Sequence, residues 1–341
     1  MNILILRRLI QLIFVLIGLS IITFMITNLS DVDPTVLWGG EKASAEAIQK
    51  VREEFGLDKP LVVQYFRYIR NLLNGNMGMS LTTKHPVGKD LIEFFPATFE
   101  LVIVAWIIAL LVGLPIGIIT AVNSGGKLDN FCRVFTLAGV STPVFWLGLM
   151  LQILFFKNLG WFPLEGRISD SISIFNPIRS ISGMYILDSI ITGNWTAFRS
   201  ALQHIFMPAL TMSVSGITLI MRMTRSCMLE VLNKDYITMA KTYGLPKGKV
   251  FFVYALKNAL IPIITVASLA ICNNFLGSIL IESVFDWPGI GRYAVRAMLS
   301  ADFAPIMGVT LLIGTIYVTF NLIVDILYCI IDKRISYNER F

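Results

Sequence analysis

Two histidines, His85 and His204, and four cysteines, Cys132, Cys227, Cys272 and Cys329, are all that the chain offers toward imidazole or thiolate chemistry. The cysteines stand far apart, each in or beside an apolar block, so they read as small apolar fillers and not as ligands. Two histidines leave too little for a histidine-rich metal site or a Ser/His/Asp set. Charge is scarce too: 15% of the 341 residues are charged, against about a quarter in soluble domains. The phosphate-cradling pattern G-x-x-x-x-G-K-[ST] is missing. Its nearest approach is Gly244-Leu245-Pro246-Lys247-Gly248-Lys249-Val250. There the glycines are one residue too close, and valine stands where a magnesium-binding hydroxyl belongs. No paired-carboxylate site stands out, so neither an ATPase nor a hydrolase is written into this chain.

What the chain has instead is apolar length. Hydrophobic residues make up 55% of it, and the mean hydropathy is +0.73. A membrane span needs about 20 mostly apolar residues, and six stretches qualify: Leu9–Leu29, Thr98–Val122, Phe131–Phe156, Ile205–Met223, Ala259–Phe285 and Ala304–Ile331. The first follows Arg7 and Arg8. Its length and the poor cleavage sequence Ser30-Asp31-Val32-Asp33 mark an uncleaved anchor and not a signal peptide. The expected fold is an all-α integral membrane protein. The expected division is residues 1–97 (anchor helix plus extracytoplasmic helical segment), 98–335 (a core of five spans) and 336–341 (a tail).

The net charge of +6 points to positive-inside loops and membrane lipid, not to nucleic acid. Lys and Arg divide evenly between the two sides. Density decides, because many of the outer ones lie in one long loop that translocates regardless of charge. Five of the inner ones (Arg225, Lys234, Lys241, Lys247, Lys249) crowd the short loop 224–258, with Arg222 and Lys257 at its edges. Both termini are therefore placed in the cytoplasm. In the long outer loop, Ala45, Ile48, Val51 and Phe55 have helical spacing, and a second helix runs from Leu61 to Leu73 between Pro60 and Asn74-Gly75. The outer segment 157–204 reads as irregular.

Several side chains stand out within the spans. Ala105, Ala109, Gly113, Gly117 and Ala121 recur every fourth position, which lets another helix approach closely, either inside the bundle or in a neighbouring subunit. Pro115 between them should kink that span. Asn273 and Asn274 sit mid-span and either bond between helices or line a water-filled path. Asp325 is expected to pair locally with Lys333 or Arg334, and Glu282 to reach the membrane interface. In the cytoplasmic loop, Asp235 is placed to cap a short helix that Gly244 ends. Such a helix suits docking into a groove on a soluble partner, or resting on lipid.

At this loop the chain resembles the permeases of ATP-binding-cassette importers, whose signature is a short cytoplasmic helix (the EAA loop) followed by glycine. Thr238-Met239-Ala240 occupies the E-A-A positions, with only Ala240 matching, and Gly244 is the glycine. The surroundings resemble the dipeptide/oligopeptide/nickel branch: Asp235-Tyr236, Lys257-Asn258-Ala259-Leu260-Ile261-Pro262, Ser141-Thr142-Pro143-Val144-Phe145-Trp146, Gly160-Trp161-Phe162-Pro163, and Glu282-Ser283-Val284-Phe285-Asp286-Trp287-Pro288-Gly289-Ile290-Gly291-Arg292. Phe55-Gly56-Leu57-Asp58-Lys59-Pro60 and Gly75-Asn76-Met77-Gly78 are similar to the B-type subunit. The resemblance covers essentially the whole chain.

The resemblance implies a channel-forming subunit and no catalytic site. It implies a second, C-type permease, one or two cytoplasmic ATPases and an extracytoplasmic peptide-binding protein as partners. ATP and magnesium would sit on the partner subunits, and no cofactor on this chain. Asp235, Tyr236, Ala240, Gly244, Leu245 and Pro246 would couple to an ATPase. Asn273 and Asn274 would line the path, and Trp161, Asp286, Trp287 and Arg292 would touch the binding protein. The substrate would be a dipeptide or oligopeptide, with nickel or another small solute as the alternative on the same fold. A secondary transporter is the alternative of a different class, although no repeat of interrupted helices is visible.

Overall fold

A computed structural model describes residues 2–29 and 59–331, with side chains at 10–26 and 59–324. The helix expected around Ala45 to Phe55 and the pairing of Asp325 fall outside the described residues or side chains. The elements are α1 (Asn2–Leu29), α2 (Leu61–Leu73), α3 (Val87–Val122), α4 (Lys127–Ser141), α5 (Val144–Leu151) running into a π-helical turn Gln152–Asn158, α6 (Asp170–Phe175), α7 (Tyr185–Ile191), α8 (Trp195–Leu232), α9 (Asp235–Thr242), a π-helical turn Lys249–Ala255 running into α10 (Leu256–Val284), α11 (Ile290–Leu299) and α12 (Phe303–Ile331). No strand is present among the described residues.

Four helical stretches are long and apolar enough to cross a membrane: Val87–Val122, Trp195–Leu232, Lys249–Val284 and Phe303–Val324. A fifth crossing arises if the α4–α5 pair is one broken span, and α1 contributes the shorter apolar stretch Ile10–Ile26. The single straight span expected over Phe131–Phe156 is corrected: α4 and α5 meet at 105°. The cause is Pro143, whose ring drives the residue before it out of the α region. Thr142 is accordingly extended, at φ −85° and ψ 124°. The helices also outrun their apolar blocks. α8 has 38 residues, about 57 Å at 1.5 Å per residue, well beyond a hydrocarbon core of about 30 Å. Its excess turns stay packed at both ends, with Ala197, Ser200 and Ala201 buried at one and Thr224 and Met228 at the other.

The bundle is organised around α8. Its apolar window is 67% buried, against 17% for α12 at the periphery. The small-residue stripe of α3 lies against α8, which decides for internal packing. A Cβ added at Gly113 would stand 3.0 Å from the Ile217 carbonyl, and one at Gly117 would stand 2.6 Å from Thr224 Cβ. From the other side Gly216 admits Ala109, and Gly139 of α4 admits Thr218. Trp106 of α3 donates its Nε1–H to the Ala267 carbonyl of α10 at 2.8 Å. α3 remains helical through Pro115. At one end of the bundle, buried Asp129 accepts from Arg225 Nε at 2.6 Å and Nη2 at 2.9 Å, from Arg133 Nη2 and from the Gly125 N–H. This joins the α3–α4 turn to α8. Cys132 and Cys272 are buried and free, consistent with their role as fillers.

The packing makes a paired prediction. Gly117→Val has no room against Thr224 and Met221, so it should lower the thermal midpoint of the detergent-solubilised chain sharply or abolish accumulation. Gly277→Ala meets nothing within 4 Å and should leave the midpoint unchanged or slightly raised. Equal behaviour of the two would contradict the close α3–α8 approach.

Candidate functional site

Two ends of the bundle carry the residues singled out from the sequence, with α8 between them. At one end is α9, eight residues long. Its start differs from expectation: Lys234 is the N-cap and Asp235 the first helical residue, with no side-chain cap bond. Asp235 therefore acts through its charge in the first turn, where the helix dipole favours an anion. The end is as expected. Gly244 takes φ +71°, its N–H donates to Lys241 O at 3.0 Å, and the Leu245 N–H reaches back to Ala240 O at 3.2 Å. This is the paired closure that a glycine in the left-handed region permits.

One face of α9 is locked to the bundle. Ile237 and Ala240 are buried, and they pack with Met228, Val250, Ala255, Ala259 and Leu245. The other face is bare: Tyr236, Met239 and Tyr243 are 43%, 57% and 75% exposed. They fall at i, i+3 and i+7, one stripe of a helix. Met239 and Tyr243 were missed in the sequence reading, although that spacing was there to be found. Pro246 is exposed, and its carbonyl receives the Val250 N–H at 3.1 Å, starting the next helical run.

At the opposite end the chain is held by buried carboxylates. Glu282, expected at the interface, is 0% exposed. It accepts from Thr98 Oγ1 at 2.6 Å and from the Arg292 N–H at 2.9 Å, while the Ile290 N–H donates to Thr98 Oγ1. The first turn of α11 is thus capped from inside the core. Gly289 and Gly291 are required there, since a Cβ on either would run into Glu282, Thr98 or Ile279. Trp287 is corrected from surface contact to core. It is 1% exposed and donates Nε1–H to Ala97 O at 2.9 Å, so it can serve a partner only by holding its loop in place. Asp286 (φ +46°) and Arg292 pair at 2.9 Å, and Arg292 also donates to the Asp286 carbonyl. Trp161 is 62% exposed.

The outer segment expected to be irregular is anchored more firmly than its sequence suggests. Arg167 donates to Glu100 at 2.6 Å and to Gly183 O at 3.0 Å, and its guanidinium lies over the Tyr185 ring at 3.8 Å. Glu100 also accepts from the Ile186 N–H. Asp188 is fully buried and gathers the N–H groups of Ile181, Ser182 and Gly183. Burial raises its pKa, but the hydrogen bonds from Ser182, Ile181 and Gly183 outweigh this and leave it lowered. Asp302 accepts from Ser80 Oγ and from the N–H groups of Leu81 and Thr82. Asp90 accepts from Tyr293.

The two asparagines of α10 part company. Asn273 is exposed, on the face that also shows Leu269, Leu276 and Leu280. Asn274 is buried at 4% exposure, with no partner for its Nδ2 among the described residues.

A bundle of long apolar helices, with one short helix buried on one face and bare on the other, defines a multi-pass membrane protein. The family described as binding-protein-dependent transport system inner membrane component matches residues 113–337, and its N-terminal counterpart matches residues 1–102. The chain belongs to this family, the permeases of binding-protein-dependent importers, and is a multi-pass inner-membrane protein working with an ATPase and a substrate-binding component. It is 42% identical to the "Probable D,D-dipeptide transport system permease protein" of Escherichia coli K12, over 95% of each chain. It is 41% identical to the dipeptide transport system permease protein of Alkalihalophilus pseudofirmus, over 97% of this chain and 98% of that one. The inward-facing methionine transporter MetNI shares its fold, with a TM-score of 0.53 at 14% identity, covering 69% of this chain and 93% of that one.

Two outcomes follow from the carboxylates. Glu282→Gln must turn an amide NH₂ toward either Thr98 Oγ1 or the Arg292 N–H, leaving a buried donor unmatched at a cost of about 1–3 kcal/mol; a thermal midpoint equal to wild type would refute the anchoring role. Asp188 has a depressed pKa, so its contribution is complete above the ordinary Asp value of about 4 and is lost only as pH falls through the lower folded value. Hydrogen-exchange protection of the Ile181, Ser182 and Gly183 amides should hold from neutrality to about pH 4 and decline below it, whereas Asp188→Asn should lose it even at neutral pH.

Proposed function

We propose that the chain is the B-type channel-forming subunit of an ATP-driven importer of dipeptides and short oligopeptides. The observation that carries the coupling role is the exposed Tyr236–Met239–Tyr243 stripe on a helix whose opposite face is built into the core. Two aromatic rings and a methionine at helical spacing suit a groove on a soluble partner. Rigid attachment through Ile237, Ala240 and Leu245 carries a push on α9 into α8 and α10, instead of letting it dissipate in a loop. Asp235 and the Gly244-Leu245-Pro246 closure set the ends of this lever. The peptide substrate rests on the names of the relatives; nothing in them favours nickel.

The remaining partners follow from the same reading. A C-type permease would cover the bare α10 face around Asn273, leaving Asn273 at the path between the two subunits and Asn274 inside this one. One or two ATPases would hold ATP and magnesium and perform the hydrolysis, and this chain would bind neither and catalyse nothing. The peptide-binding protein would dock at the opposite end, against Trp161 and the Asp286–Arg292 turn, which Trp287 holds in place.

The experiment is to solubilise the chain gently from its native membrane, identify what co-purifies, and measure ATP hydrolysis with peptide-loaded binding protein. An ATPase, a second permease and a peptide-binding protein are expected, with peptide-stimulated hydrolysis. Gly244→Asp places a side chain at φ +71° and an anion at the negative end of the helix. It should leave insertion intact, at wild-type membrane abundance, and abolish peptide uptake. A chain that purifies alone and transports by itself would refute the reading in favour of a carrier working without ATP.

A further inference from the structure

At the end opposite α9, the first turns of α8 and the outer segment border an open pocket of about 570 Å³, within the range of roughly 300–1,000 Å³ typical of small-ligand sites. Pro163, Ser169, Ile172, Trp195, Arg199, Gln203 and His204 are among its lining residues. Their chemistry is divided. Trp195, Ile172 and Pro163 form an apolar wall. Arg199, which is exposed, and Gln203 make no hydrogen bond or ion pair with any described residue, so a cation and an amide at the pocket are available to a ligand. His204 is buried at 8% exposure, and its Nδ1 lies 2.7 Å from the Ser200 carbonyl. A carbonyl only accepts, so Nδ1 carries the proton and Nε2 is left as an acceptor for a ligand N–H. Asp170 stands close enough to His204 to interact with it electrostatically.

A free guanidinium, an amide and an acceptor nitrogen beside an apolar wall are complementary to one end of a short peptide. We propose that this cavity is a receiving subsite for the incoming peptide, with its C-terminal carboxylate on Arg199 and its last side chain against Trp195, Ile172 and Pro163. Gln203 and His204 Nε2 then serve the peptide unit before it. This rests on the importer reading and extends it by giving the permease its own contact with substrate. The position fits, because residues 195–204 precede the apolar block that starts at Ile205 and so lie at the water-facing mouth of α8, opposite the ATPase-docking helix.

The test uses the complete transporter with its own partner subunits in vesicles, and a dipeptide ending in photoreactive benzoylphenylalanine. Illumination during turnover is expected to attach the peptide within residues 163–204. Arg199→Gln should cut both attachment and uptake about tenfold, the loss of one charge-assisted contact, while Arg199→Lys keeps most of both. Attachment only elsewhere overturns the subsite and leaves the importer reading standing. So does undiminished attachment in an Arg199→Gln variant that still co-purifies with its partners. Native mass spectrometry showing an anionic phospholipid lost from Arg199→Gln, with peptide attachment unchanged, assigns the cavity to lipid and likewise overturns it. Failure of the wild-type transporter to accumulate labelled alanyl-alanine removes the importer reading and the subsite with it.

Discussion

In a bilayer, lipid tails are as apolar as leucine, so helices gain little from being merely greasy; they associate where their backbones can approach. The contact of α3 with α8 is built on that constraint. Gly113 and Gly117 accept the Ile217 carbonyl, Thr224 and the Met221 carbonyl at distances that exclude a methyl group, and Gly216 returns the arrangement for Ala109. With α8 fixed against α3, Trp106 can reach α10, Gly139 and Gly148 can seat the bent α4–α5 pair, and Asp129 can hold Arg225. The peripheral helices α1 and α12 depend less on such contacts and show apolar faces outward.

The two ends of this scaffold solve different problems. At the α9 end a short helix is fixed to the bundle and leaves one face free. Burying Ile237 and Ala240 while exposing Tyr236, Met239 and Tyr243 does both. At the far end, loops with little apolar surface must hold a shape. Buried carboxylates do this by accepting several donors at once: Glu282 at the start of α11, Asp188 under the 181–183 turn, Glu100 on Arg167, Asp302 under residues 80–82. A carboxylate with two oxygens satisfies backbone N–H groups that would otherwise be orphaned away from water. Rigidity there keeps the Asp286–Arg292 turn and the pocket beside Arg199 in register with the helices below.

Apolar length, the short helix α9 and its terminal glycine were legible in the sequence because each depends on neighbours in the chain: hydropathy over twenty residues, or a positive φ at Gly244 one turn beyond Ala240. The α4–α5 bend was legible in principle at Thr142-Pro143, but hydropathy does not register a change of direction. Trp287 and Glu282 were misplaced for one reason. An aromatic and a carboxylate near the end of a span look like interface residues, and only the approach of Thr98 and Ala97, nearly two hundred positions earlier, makes them core. The asparagine pair could be split by helical geometry, but which member faces inward depends on what packs against α10.

The sequence by itself determined that this chain spans a membrane as helices, that it carries no phosphate-binding loop, and that a short glycine-ended helix lies between two spans, since these are properties of composition and local periodicity. The tertiary structure decided which small residues face a neighbour, which carboxylates are buried, and that Arg199, Gln203 and His204 border one cavity with Pro163 and Ile172. Those outcomes depend on contacts between distant segments, and a linear pattern does not say which helix face meets which.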